Sequence, residues 1–464
     1  MKNANNNEQN LTMYGIFIEG THIFSSTKDA EGSQVYRPVS NFSIEILAEI
    51  FDEVFPKKVV RIKNVYGTEK VFETASENFN SISSFQNTML EFGNFTFTGD
   101  RKDLQRLRIL LFDTKGSGRK IESLGWQTDL KVWVWNNAVT TENGEIIPID
   151  NNGIFIKDNV SFYCPGANTA NEFNLSKTLA TKKFGLVESK FSFDEYALKM
   201  RQVYKENAIT IILFSISSVF QDIIVNHSGR FPILFIYGNR GTGKSALAES
   251  TQSFIGGGES YSALESITSL KKNLKSFANF NNGIINLSEY NSGNVAVDNG
   301  IKSIYDRRGY KYGYIEGCNG AQNTPVTSSF IVTSNLPAED AVLYTRFILI
   351  ELEKDIYSEQ ENENFYELQQ IQSAGITGFA NNLIKYRDYF DKNYYGFEKT
   401  WKDYFTNNSP TPNIPSRIIS NYSVLAATYE MFRNFFNFPF NTKEMIDHFN
   451  NSMQQQVEEH FNKH

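Results

Sequence analysis

Along the first 160 or so residues the chain alternates apolar and polar positions in short runs separated by turn residues, the period of two that marks half-buried strands. Residues 14–18 and 21–25 flank Glu19 and Gly20 like a hairpin, and 59–65 and 69–73 repeat the pattern across Tyr66-Gly67. Lys131-Val-Trp-Val-Trp135 runs into Asn136-Asn137, another strand-to-turn signal, and a helix is expected over 103–112. Residues 165–183, opening with Pro165-Gly166, read as a polar connector.

From Phe191 the spacing becomes helical, over 193–204 and again over 207–225, with His227-Ser-Gly-Arg230 ending the second stretch. The run 231–237 is apolar throughout, as a strand buried on both faces of a parallel sheet requires. Further strands are expected at 283–287, 329–333 and 347–352 with helices between them, so this part reads as α/β with a mainly parallel sheet. Residues 358–464 are helical in pattern, and Pro410, Pro412 and Pro415 break them into two parts. The expected layout is a β-rich α+β region over 1–190, with a nucleic-acid or partner surface, and a helical collar over 191–230. An α/β core over 231–355 and a helical domain over 356–464 follow.

Composition narrows this picture in three ways. With 464 residues, 40% hydrophobic and 14% aromatic, there is ample material for packed cores, which excludes wholesale disorder. A formal charge of −7 excludes a global basic field, so contact with nucleic acid must come from local patches. The two cysteines, Cys164 and Cys318, and the five histidines fall in no metal-binding spacing, and isolated thiols suit a reducing compartment. The polar, Asn-rich start has no apolar signal-like core, and the longest apolar run, 208–220, is too short for a bilayer and reads as a buried helix. A cytoplasmic chain with no membrane partner is expected.

The chemistry concentrates at Gly238-Asn239-Arg240-Gly241-Thr242-Gly243-Lys244-Ser245, a complete G-x-x-x-x-G-K-S between a buried strand and a helix-forming segment. Its glycines let the backbone curl so that successive N–H groups face one anion, and the helix that follows points its positive end at the same place. In such a P-loop Lys244 reaches the β- and γ-phosphates of a nucleoside triphosphate and the Ser245 hydroxyl ligates Mg2+. A chance Gly-rich turn is the ordinary alternative, and the flanking strand and helix argue against it.

Downstream, Asn282-Gly-Ile-Ile-Asn-Leu-Ser-Glu-Tyr290 is a short apolar strand with Glu289 at its carboxyl end, placed to polarise a water against the γ-phosphate. The residue before it, often a second acid in P-loop motors, is Ser288. Asn335 ends another strand, where an amide can meet a γ-phosphate or orient the attacking water, and Arg346 lies 11 residues on (346 − 335). Each has a plainer reading: a surface glutamate, a turn asparagine before Leu336-Pro337, and a salt-bridged arginine. Asp298 and Glu316 are available as substitute acids, without spacing in their favour.

The order of these motifs resembles the superfamily-3 helicases of phages, plasmids and integrated elements, carried by Gly238 to Ser245, Asn286-Leu-Ser-Glu-Tyr-Asn291, Ile301 to Lys311, Val332-Thr-Ser-Asn335 and Tyr344-Thr-Arg-Phe347. The resemblance covers about residues 193–354 and is weaker before, around Leu124-Gly125-Trp126 and Val134-Trp135-Asn136. It implies an AAA+-like P-loop core using ATP and Mg2+. Glu289 would be the catalytic base, Asn335 a sensor and Arg346 a finger acting across a ring interface. It also implies a homo-oligomeric, hexameric ring with single-stranded DNA in its central channel, replicating DNA beside a separate primase. This chain lacks a primase zinc motif and is not expected to prime.

In the relatives the stretch after Glu289 holds a channel-facing loop, which makes Lys302, Arg307, Arg308, Lys311 and Tyr312 the candidate DNA contacts, cations tracking phosphates while rings stack on bases. A solvated hairpin is the plainer reading. Basic runs around 57–63 and 101–108, and Lys271, Lys272 and Lys275, read as surface. A second functional class stays open because of Ser288 and the acidic balance: an ATP-gated assembly module or nucleotide switch, as in defence or partitioning, without strand separation.

Overall fold

Two-residue alternation in the N-terminal part produces two antiparallel meanders. Ile16–Glu19, His22–Lys28 and Gln34–Pro38 form the first, and Phe42–Ile50, Lys57–Asn64 and Glu69–Ala75 the second. In Phe42–Ile50 the residues Phe42, Ile44 and Ile46 turn inward while Glu45 faces out. The inward set packs against the helices Ile82–Leu90 and Arg101–Asp113 through Phe85, Met89, Leu104 and Leu107. Asp100 caps the second helix with a full capping box, so it starts two residues before the expected helix. Two of the basic positions here are held by carboxylates, Lys58 by Glu49 at 2.6 Å and Arg61 by Glu45 at 2.7 Å.

The computed structural model describes residues 13–50, 57–116, 118–168, 183–256, 260–262, 278–307, 310–311, 323–324, 326–353 and 356–460. They divide into two compact units. One comprises the described residues up to Glu122 together with 148–168, and the other residues 123–147 and those from 183 onward. The expected features at 169–182, Lys271, Lys272, Lys275, Glu316 and Cys318 lie outside the described residues.

The second unit is built on a five-stranded parallel sheet: β1 (Ile233–Gly238), β2 (Ser260–Ser262), β3 (Ile284–Tyr290), β4 (Ser329–Ser334) and β5 (Phe347–Leu352). The spatial order is β2-β3-β4-β1-β5. Ile233, Leu234, Phe235, Ile236 and Tyr237 are all buried, the two-faced burial that the apolar run predicts. A second sheet in this unit joins strands within residues 124–147 to Phe280–Asn281. Its closest approach is at Gly125, where φ is +91° and a Cβ would stand 1.8 Å from the Asn281 carbonyl oxygen, so only glycine fits.

The apolar stretch expected as one helix over 207–225 is instead a bent pair, Asn207–Val219 and Gln221–Ser228, meeting at 84°. Ser217 and Ser218 donate their hydroxyls to the carbonyls four residues back, which loosens the last turn. Phe220 at the corner stacks on Phe390 at 4.2 Å. Among the described residues no single helix is long and apolar enough to cross a membrane, and the bent pair, which meets that test jointly, is largely buried.

Beyond Ser358 the chain forms Glu359–Ser373, Thr377–Ile384, Arg387–Asn407, Ser416–Phe432 and Thr442–His460. The proline break falls between the third and fourth of these, and turns at 374–376, 385–386 and 433–441 divide the rest.

Candidate nucleotide-binding site

The phosphate loop leaves β1 at Gly238, whose φ is +150° and whose Cβ position lies 2.0 Å from the Leu352 carbonyl oxygen on β5. Gly241 and Gly243 follow at φ +85° and +87°, and nothing lies within 4 Å of a Cβ built on Gly241. Three left-handed glycines in six residues curl the backbone into a concavity open at Gly241 and closed by the helix Lys244–Ser253. The Thr242 hydroxyl donates to the Asn239 carbonyl at 2.9 Å, and Tyr357 donates to the Thr242 carbonyl at 3.0 Å, holding the turn from outside. Asn239 and Arg240 are exposed, as is Ser245 at the helix start.

Lys244 is half-buried and its ammonium lies 2.6 Å from both the Gly238 and Asn239 carbonyl oxygens. Burial, and then the Arg240 charge, pull its pKa below the ordinary lysine value. A half-buried ammonium held by neutral dipoles fits an anion, which can replace those carbonyls as its partner.

Register lines up the other candidates. Tyr237 on β1 pairs with Ser334 on β4, and Ser334 pairs with Tyr290 on β3. The next residue on β1 is Gly238, the next on β4 is the exposed Asn335, and Glu289 stands just before Tyr290. All three therefore sit on one carboxyl edge, with Asn335 on the strand between the loop and Glu289, which lies about 10 Å across the sheet. Between Leu287↔Val332 and Tyr290↔Ser334, β3 carries two residues, Ser288 and Glu289, against one on β4. The bulge turns Glu289 out to solvent at φ +58°, in the left-handed region. That conformation costs a residue with a Cβ about 1–2 kcal/mol, and strain of this kind clusters at functional sites. Below it, Tyr290 donates to the buried Asp298 carboxylate at 2.6 Å, tying the strand end to the helix Val295–Tyr305. Burial raises the Asp298 pKa, and this acid is spent inside the fold.

Arg346 lies at the other end of the sheet. It immediately precedes β5, level with the start of β1, where the Ile233 amide donates to the Arg346 carbonyl at 3.3 Å. Six residues along β5 separate it from Leu352 beside the loop, roughly 20 Å of extended chain. The residue is 6% exposed, and its guanidinium pairs with Asp306 at 3.2 Å, donates to the Val342 carbonyl and faces the Tyr305 ring at 5.3 Å.

The candidate DNA contacts divide. Lys302 pairs with Asp340 at 2.7 Å. Arg307 is engaged within the fold. Its guanidinium is turned inward, bonded to the Val326 and Ser328 carbonyls and to Gln221, because the bent helix pair brings Gln221 beneath it. Burial alone pushes its pKa down to about 10. Lys311 belongs to the two-residue strand Tyr310–Lys311, and Arg308 and Tyr312 lie outside the described residues.

Sequence reasoning missed the surroundings of the loop. A cavity of about 690 Å³ opens beside Thr242 and Gly243, walled by Tyr204, Leu352 and Gln455 from three separate elements and by Tyr357 from the loop before the helix Glu359–Ser373. His448 lines it, shares a 2.9 Å hydrogen bond with Thr210, and is pushed down to about 4 by burial. No local motif marks these residues, since they meet only through tertiary packing.

No protein-family model matches the chain, and no curated protein matches it. Among solved structures it is similar to one described as SCCmec type IV Cch, active helicase: 14% identity, 96% of this chain and 79% of that chain covered, TM-score 0.63. Lower likenesses are to the C-terminal region of NrS-1 in its A form (12% identity, 86% and 89% covered, TM-score 0.35) and to JCV helicase (12%, 46% and 65%, TM-score 0.27). At those scores neither carries an argument. The chain has a helicase-like fold: a P-loop α/β core on a parallel sheet, a β-rich N-terminal part and a helical C-terminal part.

Proposed function

We propose that this chain is an ATP-dependent DNA helicase or translocase of a mobile genetic element, working as a homo-oligomeric, hexameric ring in DNA replication. The observation that carries the reading is the register that sets Gly238, Asn335 and Glu289 on one sheet edge, with Glu289 strained outward on a bulge.

In this reading the loop amides and Lys244 hold the triphosphate, and the adjoining cavity takes base and ribose. Ser245, exposed at the helix start, would hold Mg2+, which when bound screens the phosphate charge. Glu289 accepts the proton of the attacking water and Asn335 orients that water. Arg346 is too far from its own loop to serve it, so it would act in the site of the next subunit, stabilising transition-state charge after leaving Asp306. The segment around Lys311 would track single-stranded DNA in the channel. A separate primase would supply primers.

The test is magnesium-dependent ATP turnover with and without single-stranded DNA. DNA is expected to raise turnover several-fold, Lys244→Ala to remove it, and Lys311→Ala to remove only the stimulation. Turnover indifferent to DNA, with assembly that depends on ATP and is blocked by Lys244→Ala, would replace this reading by the second one. That alternative, an ATP-gated assembly module, is favoured by one observation: Lys302 and Arg307 are both engaged inside the fold.

A further inference from the structure

Tyr237 and Tyr344 occupy opposite ends of the nucleotide machinery. Tyr237 is the residue before the first P-loop glycine, and Tyr344 lies two residues ahead of Arg346. Both are buried, at 4% and 0% exposure, and both hydroxyls donate to the same oxygen of Glu459, at 2.7 Å and 2.8 Å. Burial, reinforced by the Glu459 charge, raises both phenol pKa values, so both act as donors to an acceptor-only carboxylate.

Glu459 belongs to the helix Thr442–His460, which grips β5 along its length. Gln455 donates to Glu351, the β5 residue paired with Tyr237, at 2.6 Å, and to the other Glu459 oxygen at 2.9 Å. Gln456 donates to the Tyr344 and Phe347 carbonyls at 3.0 Å and 3.2 Å, one on each side of Arg346. The end of one helix therefore touches the residue that launches the phosphate loop and brackets the arginine at the far end of the sheet.

We infer that Glu459 is a positioning residue that couples the phosphate loop of a subunit to the Arg346 it presents to its neighbour, through the Tyr237–Glu459–Tyr344 bridge. This rests on the proposed ATPase reading. A shift of β1 on filling the loop moves the Tyr237 hydroxyl, Glu459 carries that shift to Tyr344, and the segment 344–347 moves with it. Packing alone does not ask for this arrangement, because two phenols and a carboxylate brought together under burial are costly unless each is satisfied.

Steady-state ATP turnover with single-stranded DNA, over a range of ATP concentrations, tests it in a double-mutant cycle of Glu459→Ala and Arg346→Ala. Misplacing a charge-stabilising group is expected to lower kcat about five- to tenfold while KM for ATP stays within about twofold. Glu459→Gln, which keeps an acceptor oxygen, is expected to restore most of the loss. In the Arg346→Ala background Glu459→Ala is expected to cost nothing further, since it acts through that arginine. Losses that multiply, a silent Glu459→Ala, a silent Arg346→Ala, or an effect confined to KM would each overturn the inference and leave the ATPase assignment standing. A wild-type protein without magnesium-dependent turnover would sink both. Should Glu459→Ala fail to fold, Tyr344→Phe, which removes one hydroxyl, is read in the same cycle with the same outcomes.

Discussion

Glu289→Gly separates a strained working residue from an ordinary surface glutamate, because it moves stability and activity in different directions. Glu289 is held at φ +58° by the bulge in β3. Its carboxylate is exposed and meets no hydrogen-bond or ion-pair partner among the described residues, so its removal forfeits none there. Glycine relieves about 1–2 kcal/mol of left-handed strain and costs about 0.5–1 kcal/mol in unfolded-chain entropy. The net is a gain of about 0.5–1 kcal/mol, or a rise of about 0.5–1 °C in melting temperature for a chain of this size. If Glu289 is the base, the same change lowers ATP turnover by about 10² or more. Thermal melting and steady-state turnover on one preparation give both numbers. A fall in melting temperature would show that the glutamate holds the bulge in place, and retained turnover would show that another group takes the proton. Either result refutes the argument from strain to function.

Other substitutions and conditions probe the same frame. Gly238→Ala drives a Cβ to 2.0 Å from the Leu352 carbonyl oxygen at a positive φ, and is expected to cost about 2–4 kcal/mol and abolish nucleotide uptake, read by melting and by titration with a fluorescent ATP analogue. Gly241→Ala meets no neighbour within 4 Å and bears only conformational strain, so it should cost about 1–2 kcal/mol. His448 is pushed down to about 4 in the folded protein against about 6.5 unfolded, so the unfolded chain binds the extra proton. Stability is full above pH 6.5 and falls as pH drops toward 4, by at most about 3 kcal/mol from this group. Arg201 and Glu206 are the charges that face it, and denaturant melts of wild type and His448→Gln between pH 7.5 and 5 should converge as pH falls. Parallel profiles would show that the imidazole is not the group responsible.

Elements whose signal lies in their own residues were legible from the sequence. The apolar run became β1, residues 347–352 became β5 unchanged, and the helix over 193–204 begins at a Ser192 capping box, because strand period, burial and caps are local preferences of the backbone. The P-loop belongs with these, since its glycines state their own conformations. The bend at Phe220 did not, because it depends on Phe390, some 170 positions away (390 − 220), stacking on the corner. Nor did Arg307, whose inward turn depends on where Gln221 ends up.

By itself the sequence determined where the main strands of the α/β core and most of the helices lie and that one loop curls on its own glycines. Only the tertiary structure decided the order β2-β3-β4-β1-β5, the left-handed turn of Glu289, the placing of Arg346 at the edge away from its own loop, and the meeting of Tyr237 and Tyr344 on Glu459. The physical reason is range. A residue's φ, ψ and burial period are written in its neighbours along the chain, whereas strand order and side-chain convergence are settled by long-range pairing and packing.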